Sequence, residues 1–255
     1  MQVEVKKIVE YCQEYLQANK WTDACVNGIQ VEGELKASMI ITGVSISQEL
    51  IRTAIKKRSK LIIVHHGFFD MDFKYPIEIS GYRKERLKLL LENNINLAGF
   101  HLPLDAHPVI GNNISLLKLL KLKKTDVISM PQFGDLGFVG EYADPVGLDD
   151  FYNLISDKLL TQPYVIAAGP KKIKRVGIVS GRIGNNFRVA KDYGVDTFVT
   201  GETLEETVRA VEETRLNYFA AGHYNTEKLG IQNLGEMIAK KFGIKHEFVD
   251  IPCEI

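Results

Sequence analysis

A chain of 255 residues, 45% hydrophobic and 25% charged, can bury a sizeable core and falls between one large domain and two modest ones. Lys plus Arg and Asp plus Glu each total 32, so the formal net charge is zero and no overall field recruits nucleic acid or an anionic membrane. The three cysteines, Cys12, Cys25 and Cys253, are odd in number and form no CxxC pair, which argues against a disulfide or zinc-ribbon framework and reads as inert thiols of a reducing compartment.

Residues 3–18 place Val5, Ile8, Val9, Cys12 and Leu16 at helical spacing, so the start of the chain reads as an amphipathic helix rather than a signal peptide. No stretch approaches the ~20 apolar residues of a membrane span, and the expected location is the cytoplasm. Residues 19–33 read as a loop with a turn at Asn27-Gly28. Strands are then expected at 38–45, 60–66 and 95–102, with helices at 48–57, 82–93 and 113–121, the last opened by asparagine as a cap.

Residues 125–145 are richer in glycine and proline, with one strand near 137–142, and suggest a domain boundary close to residue 125. Beyond them strand and helix alternate again: helix 148–160, strands 164–168 and 175–180, helix 186–193, strand 195–200, helix 204–213, strand 217–222, helix 226–242 and strand 245–251. The grammar is that of an α/β protein.

Two apolar runs, Leu61 to Val64 and Ile95 to Phe100, read as strands buried on both faces, and each ends on histidine: His65-His66 and His101. Open α/β sheets bind ligands at the carboxyl ends of their strands, so these imidazoles point to a metal site. Gly67 permits the turn that brings both adjacent rings to one mouth. In HLPLD, Pro103 is expected to block a helix and hold His101 and Asp105 on a rigid turn. In AGHYNTEKLG, His223 ends a further strand and Glu227 falls one helical turn on. Six donors exceed the needs of one ion and suit two, about 3.5 to 4 Å apart with a carboxylate between them.

The words NGIQVEG (27–33), VHHGFF (64–69), FHLPLDAHPVIGNN (100–113), DTFVTGE (196–202) and AGHYNTEKLGI (221–231) together resemble the Nif3-like dinuclear metal proteins, also named GTP cyclohydrolase I type 2 homologs. The resemblance covers nearly the whole chain and is closest to the short bacterial members. It implies two interlocked αβ domains, 1–125 with about 222–255 and about 126–221, and a toroidal homohexamer. It also implies a dinuclear site between the domains, with ligands matching His65, His66, His101, Asp105, His223 and Glu227. His107 is not a ligand in the family pattern. Many relatives carry proline after the paired histidines, where this chain has Gly67.

The function implied is a metal-dependent hydrolase, GTP cyclohydrolase-like, acting on a nucleotide or related small molecule through a metal-activated water. The alternative is a hexamer that stores, delivers or scaffolds metal without chemistry, since six protein ligands can saturate two ions. Iron, zinc, manganese and nickel all suit histidine with carboxylate. Glu202 in TGE is the best of the unassigned acids, weighed as a catalytic proton donor against a carboxylate at a helix N-terminus. Gly181 and Gly184 in VGIVSGRIG lie where amides hold phosphate, but form neither a Walker loop nor GxGxxG. Asn27 and Gln30 are loop hydrogen-bonders or pocket groups, and Phe68 and Tyr224 are base-stacking or core residues. No membrane partner is expected, and a ring threading nucleic acid is a third reading that the neutral composition makes weaker.

Overall fold

Residues 2–69, 78–183 and 186–253 are described in the computed structural model; Gly184 lies outside them. The chain opens with strand β1 (Val3–Glu4) and helix α1 (Val5–Tyr15), whose Val5, Ile8, Val9 and Cys12 are buried at the expected helical spacing. Strands β2 (Gly28–Val31), β3 (Lys36–Ala37) and β4 (Met39–Ser45) follow, then helix α2 (Gln48–Lys56). Ser47 caps α2, its hydroxyl accepting from the amide of Leu50 at 3.1 Å. Ser47→Ala is expected to cost about 1 kcal/mol of unfolding free energy, read from the urea midpoint.

Strand β5 (Leu61–His66) buries Leu61, Ile62, Ile63 and Val64 completely, each aliphatic side chain contributing about 1.5 to 3 kcal/mol by leaving water. Helix α3 (Gly81–Glu92) and strand β6 (Asn96–Gly99) complete this stretch. Helix α4 (Leu102–Ala106) then corrects the expectation for HLPLD, because Pro103 lies in its first turn, where a missing amide proton costs nothing.

Helix α5 (Asn112–Leu119) leads to strands β7 (Lys123–Met130) and β8 (Gly134–Gly147), a long hairpin in the segment expected to hold a linker and one short strand. Glycine and proline there serve the hairpin. Gly134 takes a positive φ of 73° after the turn, where the amide of Phe133 reaches the carbonyl of Met130. Glu141 pairs with Arg175 and Val146 with Ile173, so Pro145 falls in a bulge that needs no ladder amide. Helix α6 (Leu148–Leu159), strands β9 (Tyr164–Ala167) and β10 (Lys172–Ile178), helix α7 (Phe187–Asp192), strand β11 (Thr197–Thr200), helix α8 (Glu205–Thr214) and strand β12 (Asn217–Ala220) follow. Helix α9 (His223–Phe242) and strand β13 (Lys245–Phe248) close the order.

Two units result: Met1–Leu104 with Gly230–Ile251, and Asp105–Leu229 with Pro252–Ile255. Residues 105–125 and 222–229 thus belong to the second unit, whereas the sequence reading placed them in the first. The reason is packing: Leu116 and Leu117 of α5 are buried in one cluster with Phe151, Val176, Ile178, Val199 and Phe219.

The first unit is built on a five-stranded sheet of order β13-β4-β5-β6-β2, parallel except for β2. The stretch 19–33, expected as loop, therefore holds an edge strand, pairing Gly28 with Gly99 and Ile29 with Ala98. Four residues carry too little period-2 pattern to be seen. One face is covered by α2 and α3, which bring Leu50, Ile51, Ala54 and Leu90 onto Ile41, Ile62, Val64 and Leu97. In the second unit the sheet order is β7-β8-β10-β11-β12-β9, with β10, β11 and β12 parallel and the remaining pairs antiparallel.

Candidate metal centre

In the first unit the carboxyl ends of β5 and β6 carry His65, His66 and His101. Their ring centroids lie 4.6, 5.0 and 5.6 Å apart, and each offers a donor atom within 4.8 Å of the others. The Nδ1 atoms are engaged elsewhere. His65 Nδ1 meets the carbonyl oxygen of Phe100 at 2.9 Å, His66 Nδ1 the hydroxyl of Ser45 at 3.0 Å, and His101 Nδ1 the Asp23 carboxylate at 2.9 Å. A carbonyl or carboxylate oxygen can only accept, so the protons of His65 and His101 sit on Nδ1 and the lone pairs on Nε2.

Asp23 was not singled out from the sequence, yet it organises this end of the sheet. Besides His101 it accepts from the amides of Cys25 and Leu102, both at 3.0 Å, and from Asn27 Nδ2 at 2.9 Å. Burial alone would raise its carboxyl; the hydrogen bond and charge of His101, with Asn27 and Cys25, outweigh that and hold it down at about 2. Asn27 in turn accepts the His101 amide at 2.8 Å. Gln30 Oε1 accepts the amides of Phe68 and Phe69, and a Cβ on Gly67 would come within 2.2 Å of that oxygen. Both members of the NGIQ word are thus hydrogen-bonders that shape the loops behind the histidines. Phe68 is buried, as is Tyr224 of the second unit, which places both with the core.

In the second unit the donors gather at the carboxyl ends of β10 and β12. Asp105 is buried, its Oδ1 accepting from Asn112 Nδ2 at 2.8 Å and Ser180 Oγ at 3.1 Å. His223 begins α9, three residues before the expected helix start, so it and Glu227 are i and i+4 of one helix. His223 Nε2 is 2.9 Å from Glu227 Oε2, and His223 Nδ1 is 2.5 Å from Glu202 Oε1. Burial would depress the His223 ring, but Glu227 and Glu202 outweigh it and raise it to about 9. Ser180 and Gly181 tie the set together. Ser180 holds Asp105, and the bare Cα of Gly181 leaves room for Glu227 Oε1, which an added Cβ would approach to 2.1 Å.

Glu202 is not the helix N-terminal carboxylate weighed from the sequence, since α8 has Glu205 and Glu206 in its first turn while Glu202 engages His223. The Gly181 amide donates to Thr226 Oγ1 at 3.1 Å, so it serves the loop rather than a phosphate. His107 Nδ1 accepts from the amides of Val109 and Ile110. Cys12 and Cys25 are buried, burial pushing the Cys12 thiol up to about 12, whereas Cys253 is exposed. No described helix is long and apolar enough to cross a membrane.

The donor set fits a borderline divalent ion, for which imidazole Nε2 and carboxylate oxygen are suitable ligands. The fit goes beyond composition. His65 and His101 have Nδ1 on an obligate acceptor, the arrangement by which outer partners fix the tautomer of a metal-ligating histidine, and His223 has the Glu202 carboxylate on Nδ1 with the Glu227 carboxylate facing Nε2.

A family model described as Duf34/NIF3 (NGG1p interacting factor 3) matches residues 3–253. The GTP cyclohydrolase 1 type 2 homolog of Haemophilus influenzae is 40% identical over 242 residues, 92% of this chain and 93% of its own. That of Pseudomonas aeruginosa is 35% identical over 252 residues, 99% of both chains. Among solved structures, protein ybgI, described as of unknown function, is similar with a TM-score of 0.93 at 36% identity, covering 99% of this chain and 100% of that one. A Thermus thermophilus protein, TTHA1606, follows with a TM-score of 0.86 at 30% identity over 99% of this chain and 100% of its own. Matched from end to end in sequence and sharing its fold with these relatives, the chain belongs to the DUF34/NIF3 family.

Proposed function

We propose that the protein is a hydrolase working with two divalent metal ions, ligated by His65, His66, His101, Asp105, His223 and Glu227. The observation that carries this reading is the orientation of the imidazoles, with His65 and His101 each turned by a Nδ1 acceptor so that Nε2 is the coordinating atom, and His223 Nε2 set 2.9 Å from the carboxylate of Glu227, its fellow ligand. Bound ions would supply a water acidified toward a pKa of ~7 and positive charge for a developing oxyanion.

The chain's own contribution is to fix donors and hold protons. Asn112 and Ser180 orient Asp105 through Oδ1, so it presents its carboxylate in one direction. Glu202 lies on His223 and orients that ligand, which leaves no assigned role for it as a proton donor to a leaving group. The relatives' name places a purine nucleotide first among substrates to test, and the family resemblance supports a homohexamer.

The test joins metal content to turnover. Wild type is expected to carry about two ions per chain by elemental analysis and to elute as six chains in light scattering. His101→Ala combined with Asp105→Ala should lose metal and keep the assembly; unchanged metal content overturns the ligand assignment. Metal-loaded wild type is then offered a nucleotide panel that includes GTP. Turnover that disappears in the double variant supports the hydrolase, whereas a loaded protein inert toward the panel favours storage or scaffolding.

A further inference from the structure

We propose that Asp23 and Glu202 are positioning residues that set the tautomer and the donor strength of His101 and His223, and through them the metal affinity of the protein. The inference rests on the metal reading above and extends it to two acids that neither the sequence motifs nor the relatives assign.

The four imidazoles are supported by three grades of partner. His65 has a neutral carbonyl, Phe100 O, and His66 a hydroxyl, Ser45 Oγ, which can either accept or donate. His101 and His223 have carboxylates, at 2.9 Å and 2.5 Å. A hydrogen bond to an ionised acceptor is roughly twice as strong as a neutral one, and it shifts electron density toward Nε2. Carboxylate support therefore makes these two rings stronger donors than the other pair.

Both carboxylates are held for the purpose. The Asp23 side chain is 3% exposed, and its two oxygens accept four hydrogen bonds, from Cys25 N, Asn27 Nδ2, Leu102 N and His101 Nδ1. Such a carboxylate cannot turn away. Glu202 is held from its backbone, where its amide donates to the carbonyl of Gly181 at 3.2 Å and its carbonyl accepts the hydroxyl of Tyr218 at 2.8 Å. One acid thus serves each unit, on the side of the ring opposite Nε2.

Asparagine and glutamine keep the size of these side chains and remove the charge. Their amide groups can also donate, which would leave Nδ1 as acceptor and put the proton on Nε2, blocking coordination. Chelator-stripped full-length protein is titrated with zinc or cobalt against a chromophoric competitor. For Asp23→Asn and for Glu202→Gln the expected loss of affinity is about 10- to 100-fold, against about threefold or less for Ser45→Ala. The visible cobalt bands should shift in both carboxylate variants, a change that altered folding alone does not produce, while metal-free Glu202→Gln should keep a cooperative urea transition with a midpoint lowered only by the lost contact to His223.

Wild-type affinity and an unchanged cobalt spectrum in both carboxylate variants overturn the proposal while leaving metal binding intact. A wild type that binds neither ion removes the metal reading itself, and this inference with it. Should Asp23→Asn loosen the loop it holds, Glu202→Gln decides, because among the described residues its side chain is hydrogen-bonded to His223 alone.

Discussion

Gly181→Ala is expected to cost about 100-fold or more in divalent-metal affinity, the upper end of what supporting groups around a ligand contribute. Two effects act at one atom. Gly181 has φ +66°, a left-handed conformation that costs an L residue about 1 to 2 kcal/mol. The new methyl would also lie 2.1 Å from Glu227 Oε1 and 3.3 Å from His223 Nε2, far inside van der Waals contact with the first. The backbone cannot yield, because the Gly181 carbonyl accepts from Gly201 N, Glu202 N and Thr200 Oγ1 while its amide donates to Thr226. The carboxylate must move instead. Calorimetric titration of the stripped variant measures the loss, and wild-type affinity would show that Glu227 is not a ligand held in this pose.

Asn113→Ala is expected to be the most destabilising of these substitutions, by about 2 to 5 kcal/mol, since each buried polar group left without a partner costs about 1 to 3. Asn113 is completely buried, accepts the Ser180 amide at 2.6 Å and donates to the Leu136 carbonyl at 2.8 Å. Alanine strands both. The damage should also reach the donor set, because Ser180 holds Asp105 through its hydroxyl. Urea unfolding of metal-free protein isolates the stability term, and a midpoint within error of wild type would refute it.

What could be read from the sequence was whatever the chain repeats or concentrates. β5 was legible because four consecutive aliphatic residues leave no alternative to burial, and its terminal histidines stood out against that background. β2 was hidden because four residues in a polar loop show no period. The β7–β8 hairpin was hidden because Pro131, Gly134 and Pro145 imitate a linker until the turn and the bulge explain them. Asp23 was beyond reach for a different reason. It pairs with His101, 78 positions away, and a solitary aspartate in a loop carries no local mark of a partner. Glu202 was singled out and α8 was placed to within one residue, but its partner His223 lies 21 positions on and nothing local marks that pairing.

The sheet order of the first unit carries a consequence for biosynthesis. β13 (Lys245–Phe248) pairs in parallel with β4 (Met39–Ser45), a partner made some two hundred residues earlier. Everything between Asp105 and Leu229 must therefore leave the ribosome before that edge can be closed. Until then the nascent chain displays a strand whose Ile40 and Ile41 end up fully buried, the kind of open edge on which partly made proteins aggregate. Loss of the last dozen residues would make that transient hazard permanent, so a short truncation should be found in inclusion bodies.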